Sequence, residues 1–162
     1  MHRLLVLFLL VPTLAYSQCK LLKEKDPYTK ELRLSTGFIS LQGASVSIDA
    51  DKREIDLLFN VEGDSRCFDN NSTAMVYFEG SKMKMNFRNA GTMNCEGLFH
   101  FNFKNATTVN YQLKKLTTQK ISRIEFMGPN NKIITVFLTG EMQEALLAAS
   151  GCIIEEAVNL LQ

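Results

Sequence analysis

Residues 45–61 read Ser-Val-Ser-Ile-Asp-Ala-Asp-Lys-Arg-Glu-Ile-Asp-Leu-Leu-Phe-Asn-Val. Val46, Ile48 and Ala50 alternate with Ser45, Ser47 and Asp49. Asp51-Lys52 then turns the chain, and Ile55, Leu57, Phe59 and Val61 form one face of the next run against Glu54, Asp56 and Asn60. A period of two means extended strands with one buried and one wet face. Antiparallel sheets allow that arrangement, whereas parallel sheets are covered on both sides.

The same period spreads outward. Ala74, Val76 and Phe78 alternate in one run, Met83, Met85 and Phe87 in the next, and Phe99, Phe101 and Phe103 oppose His100, Asn102 and Lys104. Residues 72–79 and 82–88 predict a hairpin turning at Gly80-Ser81, and Gly128-Pro129-Asn130-Asn131 joins 121–127 to 132–138 as another. Residues 31–41 add one or two strands around Gly37, and residues 107–117 fit either a strand or a helical turn. The period changes near the C-terminus. Thr139 is placed as an N-cap with Glu141 in the first turn, and Met142, Ala145, Leu146 and Ala149 make one apolar stripe that Gly151 is placed to end. The predicted fold is one β-rich α+β domain over 18–162, a curved antiparallel meander of about seven to nine strands, open or barrel-like, with a C-terminal helix packed on it.

The chain has 162 residues, 46% apolar and 22% charged, which is globular composition for a single domain. Residues 1–17 read as a removable signal peptide: Arg3, the apolar run Leu4–Val11, Pro12, and the small residues Ala15 and Ser17 before Gln18. The run is too short to span a bilayer, which takes roughly 20 residues. Export sets the context for Cys19, Cys67, Cys95 and Cys152. An even number of cysteines behind a signal peptide reads as disulfides. The turn at Gly80-Ser81 brings Cys67 and Cys95 to the open end of one hairpin, and Cys19–Cys152 then ties the N-terminus to the C-terminal helix. Cys19 has a competing use as a bacterial lipid anchor, although Gln18 and Tyr16 stand where that signal has a small residue and a leucine.

Removal of residues 1–17 takes away Arg3 and leaves 17 basic against 17 acidic residues. A neutral chain without a basic stripe offers nothing to nucleic acid or anionic lipid. No C-x-x-C occurs, and His100 is the one histidine after the leader, so neither a zinc site nor a redox pair is expected, and no cofactor is implied. His100 alternates with Asn102 and Lys104, which points it toward solvent. The acidic loop Glu62, Asp64, Asp69, Asn70 and Asn71 has calcium-type oxygens without EF-hand spacing and reads as a solvated turn. Asn70, Asn71 and Asn105 begin N-x-S/T sequons.

The export signal, Asp26-Pro27-Tyr28-Thr29 near the mature start, Asn94-Cys95-Glu96-Gly97 mid-chain and Gly151-Cys152-Ile153 in the closing helix resemble small exported proteins of unassigned function from Bacteroidota-like bacteria. That resemblance implies a periplasmic, outer-membrane or extracellular location and a structural Cys95. It carries over no catalytic residue.

The expected function is an exported, non-enzymatic binding or interaction module for a protein or a small apolar ligand. Its surface site is expected around Tyr77, Tyr111 or Phe68. One alternative is a small-molecule carrier, since a meander with a disulfide-tied C-terminal helix resembles lipocalin-like barrels. The Phe99/Phe101/Phe103 and Met83/Met85 faces would then line a cavity. The enzyme alternative is a small hydrolase using His100 with a nearby carboxylate.

Overall fold

A computed structural model of the chain describes residues 20–64, 66–129 and 131–162. The expected leader, and Cys19 with it, lie outside the described residues. Among the described residues nine strands form, in the order β1 (Leu22–Lys25), β2 (Leu32–Leu41), β3 (Ala44–Ala50), β4 (Glu54–Val61), β5 (Thr73–Phe78), β6 (Lys84–Arg88), β7 (Leu98–Lys104), β8 (Ile121–Met127) and β9 (Ile133–Phe137). Helix α1 (Tyr111–Thr118) precedes β8, and helix α2 (Gly140–Ala157) follows β9.

All pairings are antiparallel, and the strands divide into two sheets that do not close into a barrel. The first has the order β1-β2-β3-β4-β7 and the second β6-β5-β8-β9. Only β1 to β4 form a continuous meander. The chain then leaves for the β5–β6 hairpin, returns to lay β7 beside β4, and leaves again for β8 and β9. The β5–β6 register centres on Gly80-Ser81, as Thr73↔Arg88 and Tyr77↔Lys84 show.

The two crossovers of this hairpin are fastened together. Phe68 and Asn94 exchange backbone hydrogen bonds of 2.8 Å, and the Cys67–Cys95 disulfide lies next to that bridge. Gly97 makes the return possible. Its φ is +88°, and a Cβ there would sit 2.1 Å from the Val61 carbonyl oxygen, so only glycine fits. Cys152, on α2, is also disulfide-bonded.

The alternation seen in sequence becomes the core. Val46, Ile48, Leu57 and Phe59 of the first sheet are buried, as are Val76, Phe87, Ile124 and Phe126 of the second. Aromatic rings join the layers: Phe126 packs 5.4 Å from Phe59 and 5.2 Å from Phe99, while Phe87 stacks 4.4 Å from Phe101. The Phe99/Phe101/Phe103 face is therefore packed core, not a cavity lining. Met85 joins it, and Met83 lies before β6 in the turn.

Helix α2 packs on β2 and β3, with α1 beside it. The ambiguous segment before β8 is helical because Asn110 caps it, accepting from Gln112 N–H at 2.8 Å, and because Leu113 and Leu116 bury one face. Thr139 caps α2 as expected. Gly151, however, does not end it. Ile153, Ile154 and Ala157 continue the buried face of Gln143, Leu146 and Ser150, and that packing overrides glycine's poor helix propensity. The stripe is rotated from the expected one, which leaves Ala145 exposed.

Candidate functional site

The residues expected at the surface fall in three settings. Phe68 is a correction: it is fully buried, edge-on to Phe99 at 5.2 Å and near Phe126 at 6.1 Å. The bridge to Asn94 folds its loop inward, and the ring follows. Tyr111 is exposed at the start of α1, with Lys115 Nζ 5.7 Å from its ring centre. Tyr77 lies half-buried on the outer face of the second sheet, and it alone belongs to an organised cluster.

That cluster follows from register. Tyr77 of β5 pairs with Arg123 of β8, and Met75 pairs with Glu125, so Tyr77, Arg123 and Glu125 project from one face. The Tyr77 hydroxyl donates to Glu125 Oε2 at 2.7 Å, and Arg123 Nε donates to Glu125 Oε1 at 3.0 Å. The Arg123 guanidinium lies 3.7 Å from the Tyr77 ring centre, a cation–π contact. The hydrogen bond to Glu125 raises the Tyr77 pKa, and the same bond holds the Glu125 carboxyl below its usual range. Glu125 is thereby kept ionised and Tyr77 protonated.

Apolar side chains continue the face. Met127 pairs with Ile133, and Arg123 pairs with Phe137, on β9. Ile133 and Phe137 are 54% and 58% exposed, unusual for large apolar residues on a strand. Sequence reading missed this half of the face. The run Ile133-Ile134-Thr135-Val136-Phe137 is apolar almost throughout, so composition does not say which side faces out. Pairing with β8 buries Val136 and exposes Ile133, Thr135 and Phe137.

His100 lies on the wet face of β7, as expected, and is only partly exposed. Its Nδ1 is 2.8 Å from Asp56 Oδ2 on β4, and its side chain is 29% exposed. Asn89 and Gly91 lie over it: Asn89 Oδ1 accepts from the His100 backbone N–H at 2.8 Å, and a Cβ on Gly91 would come within 2.8 Å of the imidazole. The expected nearby carboxylate is thus present. Among the described residues, no serine or cysteine side chain hydrogen-bonds to the ring.

In the acidic loop, Asp69 accepts hydrogen bonds from the Ser72 hydroxyl first of all and from the Asn71 and Ser72 backbone, which lowers its pKa. No group of three or more His, Cys, Asp or Glu among the described residues could hold a metal. Asn105 is buried, donating to the Asp51 and Ala157 carbonyls, so its sequon is inaccessible. A cleft of about 440 Å³ opens beside α1 and the end of α2, lined by Thr107, Thr108, Lys114, Thr117 and Ile154 among others, away from the inter-sheet core. Among the described residues, no helix is long and apolar enough to cross a membrane.

No protein-family model, curated protein or solved structure matches this chain.

Proposed function

We propose that the chain is an exported, non-enzymatic interaction module that recognises a protein partner through the outer face of its second sheet. The observation that carries this reading is the Tyr77–Arg123–Glu125 cluster bordered by exposed Ile133 and Phe137. Tyrosine and arginine are the side chains that most often anchor protein interfaces, because each combines large contact area with directional hydrogen bonds. Here both are held in place before any partner arrives, which lowers the entropy cost of binding. The leader-like N-terminus and the disulfides support export, and the resemblance to exported Bacteroidota-like proteins supports a periplasmic or surface setting.

The test compares wild-type protein with a Tyr77→Ala, Phe137→Ser double variant as immobilised baits against the exported fraction of the source cells. A partner retained by the wild type and lost from the double variant is expected. Identical capture by the two baits overturns the reading.

A further inference from the structure

The two sheets have four outer edges, and three are blunted. Edge strand β1 carries Lys23, Glu24 and Lys25, and edge strand β6 carries Lys84 and Arg88. Edge strand β7 is covered: Ala90 N–H donates to the His100 carbonyl at 3.1 Å, and Asn89 takes the His100 N–H. Charge and cover are the usual protections against edge-to-edge pairing. Among the described residues, strand β9 has neither. It reads Ile-Ile-Thr-Val-Phe, without a charge, a proline or a glycine.

Its free side can be read from the ladder. Leu138 N–H donates to Ser122 and Gly128 N–H donates to Lys132, so the even positions of β9 turn their main-chain groups to β8. Antiparallel alternation then points the N–H and C=O of Ile133, Thr135 and Phe137 away from β8, and among the described residues no other strand pairs with them. A short, uncharged, β-branched strand with an open ladder is a template for another strand.

We infer that β9 pairs antiparallel with β9 of a second copy of this chain across a two-fold axis at Thr135, joining two four-stranded sheets into one. The strand is complementary to itself in this register. Thr135 meets Thr135, and Ile133 of each copy meets Phe137 of the other, an aromatic–β-branched pair of the kind that stabilises sheets. The flanking charges agree. Lys132 is the first charge before the strand and Glu141 the first after it. Antiparallel pairing sets Lys132 of one copy near Glu141 of the other at both ends, whereas parallel pairing would set like beside like. The inference shares Ile133 and Phe137 with the face proposed for partner recognition, but it rests on the open main-chain edge of β9, and Thr135→Lys tests it while leaving Tyr77 and Phe137 in place.

The experiment is sedimentation velocity of the oxidised mature chain over a concentration series. A species of twice the monomer mass is expected. Thr135→Lys places two ammonium groups on the axis, so the variant sediments as a monomer with an unchanged far-ultraviolet circular dichroism spectrum. Lys132→Glu or Glu141→Lys alone weakens association roughly 2- to 5-fold, and the double reversal restores it. Should Thr135→Lys fail to fold, hydrogen exchange on the wild type decides: the Ile133, Thr135 and Phe137 amides gain protection with concentration. A monomeric wild type, or a dimer that survives Thr135→Lys, overturns the inference. Monomers that still capture a face-dependent partner refute the dimer alone, and dimers that capture none refute the recognition reading alone.

Discussion

His100 Nδ1 lies 2.8 Å from Asp56 Oδ2, joining β7 to β4 across the wet side of the five-stranded sheet. That hydrogen bond raises the His100 pKa above the ordinary histidine value, against an opposing effect of burial. A raised folded-state pKa favours folding while the ring is protonated in both states, and the advantage is lost as pH climbs through the folded value. Urea unfolding at pH 5.5 and 8.5 should therefore show a loss of stability at the higher pH that His100→Gln removes. An equal pH dependence in the two proteins would contradict the assignment.

The disulfide between the crossovers should be a main support of the fold. Cys67 and Cys95 are separated by 28 residues, and closing a loop of that length is worth about 3–4 kcal/mol in the chain-entropy model. The Cys67→Ser, Cys95→Ser double variant is expected to lose about that much in denaturant unfolding. A loss below about 1 kcal/mol would show that the Phe68–Asn94 bridge fastens the crossovers unaided.

Two phenylalanines of the second sheet should respond oppositely to truncation. Phe126 is fully buried between the layers, so Phe126→Ala should cost about 3–5 kcal/mol. Phe137 is exposed, so Phe137→Ala should shift stability by no more than about 0.5 kcal/mol while weakening partner capture. Equal costs at the two positions would mean that β9 is covered in the monomer.

Two glycine-to-alanine changes should differ in sign. At Gly97 the methyl meets the Val61 carbonyl at a positive φ, and a loss of about 1–3 kcal/mol is expected. At Gly151, inside α2, nothing lies within 4 Å of the added carbon, so a gain of about 0.5–1 kcal/mol is expected. Melting curves of the two single variants check both.

What was readable in the sequence was what neighbours along the chain decide. The alternation of Val46, Ile48 and Ala50, or of Phe99, Phe101 and Phe103, needs only local periodicity, and the hairpin turn announces itself at Gly80-Ser81. The partition into two sheets is different. Nothing near Phe59 says that its next neighbour strand comes from residues 98–104, and the contact between His100 and Asp56 waits on that pairing. Phe68 stood alone among polar residues, where an exposed and an inserted ring look the same on paper. Gly151 looked like a terminus because the apolar residues beyond it resume the helical face only after the break. Arg123 and Glu125 alternate with Ile124 and Phe126, so their outward position was legible, but their meeting with Tyr77 depends on a strand more than forty residues away.

The interleaving of the sheets bears on the order in which the molecule can assemble. A chain leaving the ribosome or a translocon presents β1 to β4 first, with one side of β4 bare until residues 98–104 arrive. The second sheet starts with β5 and β6 and waits for residues 121–137 before β5 has a second neighbour. No single cut of the chain leaves two complete sheets, so no half of it is a folding unit. Nascent chains stalled before residue 98 should remain sensitive to protease, and resistance should rise in one step once β9 and α2 have emerged.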